Sequence, residues 1–471
     1  MKTSLFTVIA VVISLTGICS CCNQNEYGYD IKDGIIVYNT PERPAGQISM
    51  IGFATEPIDT VRIGFIGLGM RGPSAIERFT HIDGVETVAI CDLYPEKIEP
   101  VQRMLEYRGK PRAEAYSGED GWKELCRRDD IDLVYIVTPW LTHVPMAVYA
   151  MEHGKHVAVE VPAAVSVEEC WQLVNTAEKT RRHCMMLENC VYDFFELTTL
   201  NMARQGLFGE IIHAEGAYIH NLDPYWMAYQ DNWRYDYNKA NRGDVYPTHG
   251  LGPACWALNI HRGDRMKTLV SMDTDTFNGK KLAQRNGDED YANGDHTTTL
   301  IRTEKGKTIE IQHNVVTPRP YNRMYQVEGT EGFANKYPNE GYAIRTIGRD
   351  MPEDGRTIFG NMDGESFVSD EMRQALMVEY QHPITREGSL VETAKKVGGH
   401  GGMDFIMDYR LIYCLRNGLP LDQDVYDAAE WSCLGELTRV SIENGNKPVE
   451  MPDFTRGDWD VLDGLELALK K

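Results

Sequence analysis

Between residues 61 and 160 one pattern recurs: a short apolar run, a turn, then a stretch whose apolar positions follow helical spacing. The runs are Val61-Arg62-Ile63-Gly64-Phe65-Ile66, then 85–91, 133–137 and 156–160. Short runs of this kind, rich in Val and Ile, predict strands buried on both faces. Helices are predicted over 73–79 and over 143–152, the latter stopped by Gly154. Such alternation predicts an α/β fold with a doubly wound parallel sheet. From about residue 189 the pattern changes. A long strand is predicted over 211–220, and alternating Thr, Ile, Val and Tyr over 295–315 and 321–329 predict more sheet. A loop-rich stretch is expected over 335–365 and helices over 403–417 and 424–444. The chain therefore divides into a nucleotide-type domain at 58–187 and an α+β domain at 188–471 with a large, mostly antiparallel open sheet.

The first residues follow a different pattern. Lys2 precedes an apolar run over 5–18 that is too short for a confident membrane span and fits the core of a signal peptide. It ends in Ile18-Cys19-Ser20-Cys21-Cys22. A small residue before cysteine, after an apolar run, resembles a bacterial lipoprotein processing site. This predicts a signal peptide over 1–20, lipid on Cys21 and an exported protein held to a membrane only by that anchor, at the periplasm or cell surface. The simpler alternative is an ordinary cleaved signal. Residues 21–57 are polar and contain Gly and Pro, which predicts a tether and a surface arm. A formal net charge of −22 argues against nucleic acid and against adsorption to anionic lipid. The other eight cysteines form no C-x-x-C pair and no cluster with histidine, so no metal site is expected. They are expected to pack as small apolar groups, with Cys184 and Cys190 the one pair close enough to bridge. The open sheet leaves a homo-oligomer possible.

Candidate chemistry begins where the first strand ends, at Gly67-Leu68-Gly69-Met70-Arg71-Gly72. G-x-G-x-x-G is weak alone, but between a strand and a helix it has the setting of a dinucleotide site. Gly67 permits a tight turn, Gly69 lets backbone approach a pyrophosphate, and Gly72 lets helix pack on strand. Asp92, at the end of the second strand, is placed to accept hydrogen bonds from the adenosine ribose. Its charge would repel a 2′-phosphate, so the cofactor expected is NAD rather than NADP.

Together with Asp92, Thr138-Pro139-x-x-x-His143 and Glu160-x-Pro162, this turn resembles the Gfo/Idh/MocA dehydrogenases. Those enzymes usually carry Glu-Lys-Pro with a catalytic lysine, and here the middle residue is Val161. A narrower resemblance is to glycoside hydrolase family 109, the NAD-dependent α-N-acetylgalactosaminidases. It rests on the 67–72 turn, Thr-Pro-Trp-Leu-Thr-His at 138–143, Glu188-Asn189-Cys190-x-Tyr192, Tyr218-x-His220, Trp233-Arg234, Tyr246-Pro-Thr-His249-Gly-Leu-Gly-Pro and Gly398-Gly-His400-Gly-Gly-Met-Asp404. The resemblance implies that NAD also contacts Met70, Arg71, Trp140, His143, Glu160, Val161 and Asn189. It implies a glycan substrate cleaved by transient oxidation at C3, loss of the C2 proton and the C1 substituent, addition of water, and return of the hydride. The cofactor then ends as it began, which suits an exported protein.

Such chemistry needs groups that move protons at the C3 hydroxyl and at C2. Tyr218 and His220 lie two apart on a predicted strand and share a face. Tyr246 and His249 lie three apart around Pro247, at a helix start, and share a side. These four are the candidate catalytic residues. The substrate is expected against Glu188, Tyr218, Arg234, Tyr246 and His249, and against Tyr325 in preference to Tyr321. His400, between two Gly-Gly pairs, either approaches the site or makes a structural turn. The other functions weighed are an exported NAD-dependent sugar oxidoreductase and a non-catalytic sugar- or NAD-binding protein.

Overall fold

The computed structural model describes residues 28–345, 364–386, 388 and 390–470. Six parallel strands form the first sheet, in the spatial order Glu114–Ser117, Val85–Asp92, Val61–Ile66, Leu133–Ile136, His156–Val159, Cys184–Met186. The strand order reverses beside Val61–Ile66, so a crevice opens at the carboxyl ends of that strand and of Leu133–Ile136. Strands 133–136 and 156–159 are buried throughout, as their unbroken apolar runs require. Helix Val167–Thr180 starts at Ser166, whose hydroxyl accepts from the Glu169 amide, and ends at left-handed Arg181.

This domain is not built from its own stretch of chain alone. Helices Met403–Asn417 and Val425–Glu443 return from the second half and pack on it. Asp408 on the first of them accepts from Arg78 Nε at 2.7 Å and from the Tyr135 hydroxyl at 2.9 Å. Burial of charge is tolerated there because each carboxylate oxygen has its own donor.

The second sheet has ten strands. Its centre runs Met266–Asp273, Thr297–Thr303, Thr308–Asn314, Ile211–Ile219, then Gln326–Gly329, Gly332–Asn335 and Gly341–Ile344. Pairing is antiparallel except between 308–314 and 211–219 and between Val449–Glu450 and Ile35–Tyr38. Two expectations are corrected here. The arm at 21–57 is not only a surface tether: Tyr29–Lys32 and Ile35–Tyr38 form a hairpin that extends this sheet beside 449–450. The stretch 335–365 is not only loop, since strand 341–344 is buried within it; residues 346–363 lie outside the described residues. Cys184 and Cys190 are free, buried thiols, packed as small apolar groups as the sequence suggests. The expected signal peptide and lipid-bearing Cys21 fall outside the described residues, among which no helix is long and apolar enough to cross a membrane.

Beyond the hairpin the arm straps the domains together. Arg43 pairs with Glu178 on helix 167–180 at 3.2 Å and with Asp458 at 2.7 Å. The Tyr426 hydroxyl donates to Glu178 at 2.6 Å and accepts from the Met50 amide at 2.9 Å.

Candidate functional site

The glycine turn has the geometry its sequence suggests. Gly67 has φ +101°, and a Cβ there would lie 2.5 Å from the Val137 carbonyl oxygen. A Cβ on Gly72 would lie 2.0 Å from the Gly67 carbonyl oxygen, so helix Gly72–Phe79 can begin only on a glycine. Gly69 has nothing within 4 Å of a modest side chain's first atom; its backbone faces open space. That space belongs to a cavity of about 780 Å³ running from Asp92, Leu93 and Trp122 past Met70 and Arg71 to Glu160, Trp140, Arg234 and Tyr246. An elongated cleft with a phosphate cradle at mid-length and a carboxylate at one end fits a dinucleotide.

The amides of Leu68 and Tyr94 donate to Asp92 at 2.6 and 2.9 Å, which fixes its carboxylate at the ribose end. Arg71 pairs with Glu160 at 3.1 Å and with Asp404 at 3.2 Å, tying the turn to the return helix 403–417. Replacing Asp92 with alanine is expected to weaken NAD binding roughly 10–100-fold, the loss of hydrogen bonds to a charged acceptor. Calorimetric titration checks this, and equal or tighter binding of NADP by the unaltered protein contradicts the role given to Asp92.

At the other end two tyrosine–histidine pairs meet. Helix Thr248–Ala257 lies directly on strand Ile211–Ile219 because glycines face each other: a Cβ on Gly216 would come within 2.2 Å of the Gly250 carbonyl oxygen, and one on Gly250 within 2.3 Å of the Ala217 amide nitrogen. This contact brings the Tyr218 ring to 4.6 Å from Tyr246 and 5.5 Å from His249. The Tyr218 hydroxyl lies 3.0 Å from His220 Nδ1, and the Tyr246 hydroxyl 3.3 Å from His249 Nε2. His249 Nδ1 lies 2.9 Å from both oxygens of Glu188. A carboxylate only accepts, so Nδ1 carries the proton and Nε2 presents its lone pair. Burial opposes the charge on Glu188, but His249 and the Cys190 amide outweigh it and hold the carboxyl below its usual range. Burial, aided by Arg234, pushes His220 down to about 4, so it is a neutral acceptor. Burial raises both tyrosines against the pull of Arg234, and they remain donors.

Arg234 is buried among the rings of Trp140, Tyr229 and Tyr246, with its guanidinium carbon 5.3, 5.0 and 4.7 Å from their centres. It donates to the hydroxyls of Tyr218, at 3.2 Å, and Tyr229. No carboxylate among the described residues pairs with it, and its Nε has no partner. A buried cation without a counter-ion, lining a cavity, is a donor set for a polar ligand.

With the geometry in place, comparison with known proteins separates fold from family. The description "Oxidoreductase family, NAD-binding Rossmann fold" matches residues 61–188, and "Glycosyl hydrolase 109, C-terminal domain" matches 192–461. Glycosyl hydrolase family 109 protein 1 of Bacteroides thetaiotaomicron is 61% identical over 92% of this chain and 93% of its own. The chain belongs to glycosyl hydrolase family 109. The family 109 protein of Porphyromonas gingivalis is 62% identical over the same shares. Among solved structures, levoglucosan dehydrogenase in complex with NADH is similar, with TM-score 0.62 and 17% identity over 84% of this chain and all of that one. At that identity the likeness shows the fold. The protein is thus a glycosidase built on an NAD-binding oxidoreductase fold, with NAD as its cofactor.

Within this family 109 glycosidase several expected site residues have other placements. Glu188 is fully buried behind His249, with both carboxylate oxygens 2.9 Å from its Nδ1, so it positions the imidazole. Asn189 is buried and donates to Asp404, the carboxylate that also holds Arg71 at the cleft. His143 lines the cleft, but its Nδ1 and Nε2 face the Pro162 and Thr138 carbonyl oxygens at 2.8 and 2.7 Å, and it holds the wall together. Tyr325 is 3% exposed and packs on Phe195, whereas Tyr321 is 44% exposed with its ring 5.1 Å from His220. His400 does both: it sits on the turn with φ 48°, and its Nδ1 lies 3.0 Å from Asp404 and 3.4 Å from Nη1 of Arg71, which lines the cleft. Met70, Arg71, Trp140, Glu160 and Val161 line the cleft. Glu188, Cys190 and His249 form a compact set of metal-ligand types, but Arg323 already places its cation 2.9 Å from the Cys190 sulfur. The facing glycines 216 and 250 went unread in the sequence; a lone glycine inside a strand pattern is the signal that marks a close backbone approach.

Proposed function

We propose that this family 109 glycosidase releases terminal α-N-acetylgalactosamine by oxidation at C3, elimination across C1–C2, addition of water and reduction. The observation that carries the reading is the Tyr246–His249–Glu188 chain facing Tyr218–His220 across 4.6 Å of ring contact, beside a dinucleotide cleft whose family lysine is Val161. Bound NAD supplies reversible hydride acceptance at the sugar carbon. Tyr218 takes the C3 hydroxyl proton while passing its own to His220. His249 takes the C2 proton on Nε2, with Glu188 compensating the positive charge that develops. The C1 oxygen leaves with the proton that water gives up as its hydroxide adds at C1, and Tyr218 and His249 return theirs to the C3 oxygen and to C2, so the balance is glycoside plus water to free sugar plus alcohol. Arg234 gives its forked donors to the sugar hydroxyls or the acetamido carbonyl. We extend the proposal to location: an exported protein, lipid-anchored through Cys21, acting on glycans outside the cytoplasm.

An aryl α-N-acetylgalactosaminide carrying deuterium at C2 tests the reaction. Incubated in ordinary water with NAD-loaded protein, it is expected to yield free sugar that has lost the label. Cleavage with the deuterium fully retained contradicts the elimination. Accumulation of NADH without cleavage points instead to net sugar oxidation.

A further inference from the structure

The segment between strand 211–219 and helix Trp233–Ala240 leaves the substrate domain, crosses the dinucleotide cleft and returns. Its base is fixed. The Leu222 amide donates to the Val315 carbonyl at 2.9 Å, Trp226 is buried, and Tyr229 accepts from Arg234. From Ala228 to Asp231 the segment lines the same cavity as Asp92 and Trp122, so it roofs the cleft.

At its tip Asp231 and Asn232 are both left-handed, with φ of 54° and 56°. Asp and Asn are the residues other than glycine that enter this region most readily. The turn aims the Asp231 carboxylate at the Rossmann domain, where the Tyr94 hydroxyl donates to it. Tyr94 stands two residues beyond Asp92, and its amide donates to the Asp92 carboxylate at 2.9 Å. The bond that closes the roof is therefore continuous with the group that holds the ribose.

We propose that Tyr94 and Asp231 form a latch that holds the 225–232 segment shut over NAD and retains the cofactor between turnovers. A glycosidase whose cofactor ends each cycle as it began gains nothing from releasing it. A protein acting where free NAD is scarce loses activity with every release. The latch concerns the cofactor, which the fold and family establish, and not the identity of the sugar.

The test follows the cofactor with no glycoside present. Protein loaded with NADH is mixed with excess NAD+, and the loss of bound NADH fluorescence gives the release rate. Tyr94→Phe removes one hydroxyl and keeps the ring; it and Asp231→Ala are each expected to speed release roughly tenfold, the loss of one charge-assisted hydrogen bond. The double variant is expected to release no faster than the faster single variant, because both remove the same bond. A release rate unchanged by Tyr94→Phe, or a double variant whose effect is the product of the two, overturns the latch. Failure of the sugar reading would leave these rates as predicted.

Discussion

Replacing His249 with alanine is expected to lower glycoside cleavage roughly 10²–10⁴-fold, the usual contribution of a placed acid or base. The imidazole stands behind Tyr246, which lines the cavity, and its Nε2 lone pair faces that hydroxyl while Nδ1 is backed by a carboxylate. His220 is also neutral, but its pKa near 4 makes it a weak acceptor of a carbon-bound proton. His249 faces Glu188 at 2.9 Å, which favours the imidazolium formed as the C2 proton arrives. Loss of label from C2-deuterated substrate should slow in the same proportion as cleavage, and NAD affinity should be largely retained because His249 does not contact the glycine turn. Rates of label loss and of product formation, measured on one sample, check this. A variant that still exchanges the C2 label at the normal rate would remove His249 from the proton step.

Glu188→Gln is expected to be nearly as damaging to turnover, although Glu188 touches no ligand. The buried carboxylate fixes the proton on His249 Nδ1. A glutamine amide turned to donate toward Nδ1 would move that proton to Nε2, and the base would lose its lone pair. Turnover should fall roughly 10²–10⁴-fold, with KM changed far less, because the defect lies in proton transfer rather than in binding. The pair also predicts a pH effect on stability. The folded carboxyl is held below its ordinary value of 4.5, so its contribution is fully present above that value and is lost as pH falls through the lower folded value. Melting temperatures of the parent and Glu188→Gln should differ most near neutral pH and draw together in acid. A constant gap from neutral pH down to pH 3 would contradict the depressed Glu188 carboxyl.

Much of this site is legible in the order of residues because it is local. The glycine turn, Asp92 at a strand end and the two-residue step from Tyr218 to His220 each depend on one element's own geometry. Periodicity says which side of an element a residue occupies. It does not say which other element arrives there. Tyr218 and Tyr246 meet only because Gly216 and Gly250 let a helix lie directly on a strand. Glu188 backs His249, and Asn189 meets Asp404, across separations of 61 and 215 residues, which no spacing rule spans. Met324 and Tyr325 have positive φ, which breaks both helical and strand period between Tyr321 and Tyr325, so choosing between them required the fold. The hairpin at 29–38 is not legible for a related reason: an isolated pair of short strands is marginal by itself, and these strands persist because Val449–Glu450 supplies the edge they join. Sequence determined the chemistry each element carries and the side on which it carries it. Tertiary structure alone decided which of those sides face one another, because backbone contact between elements depends on packing that adjacent residues do not encode.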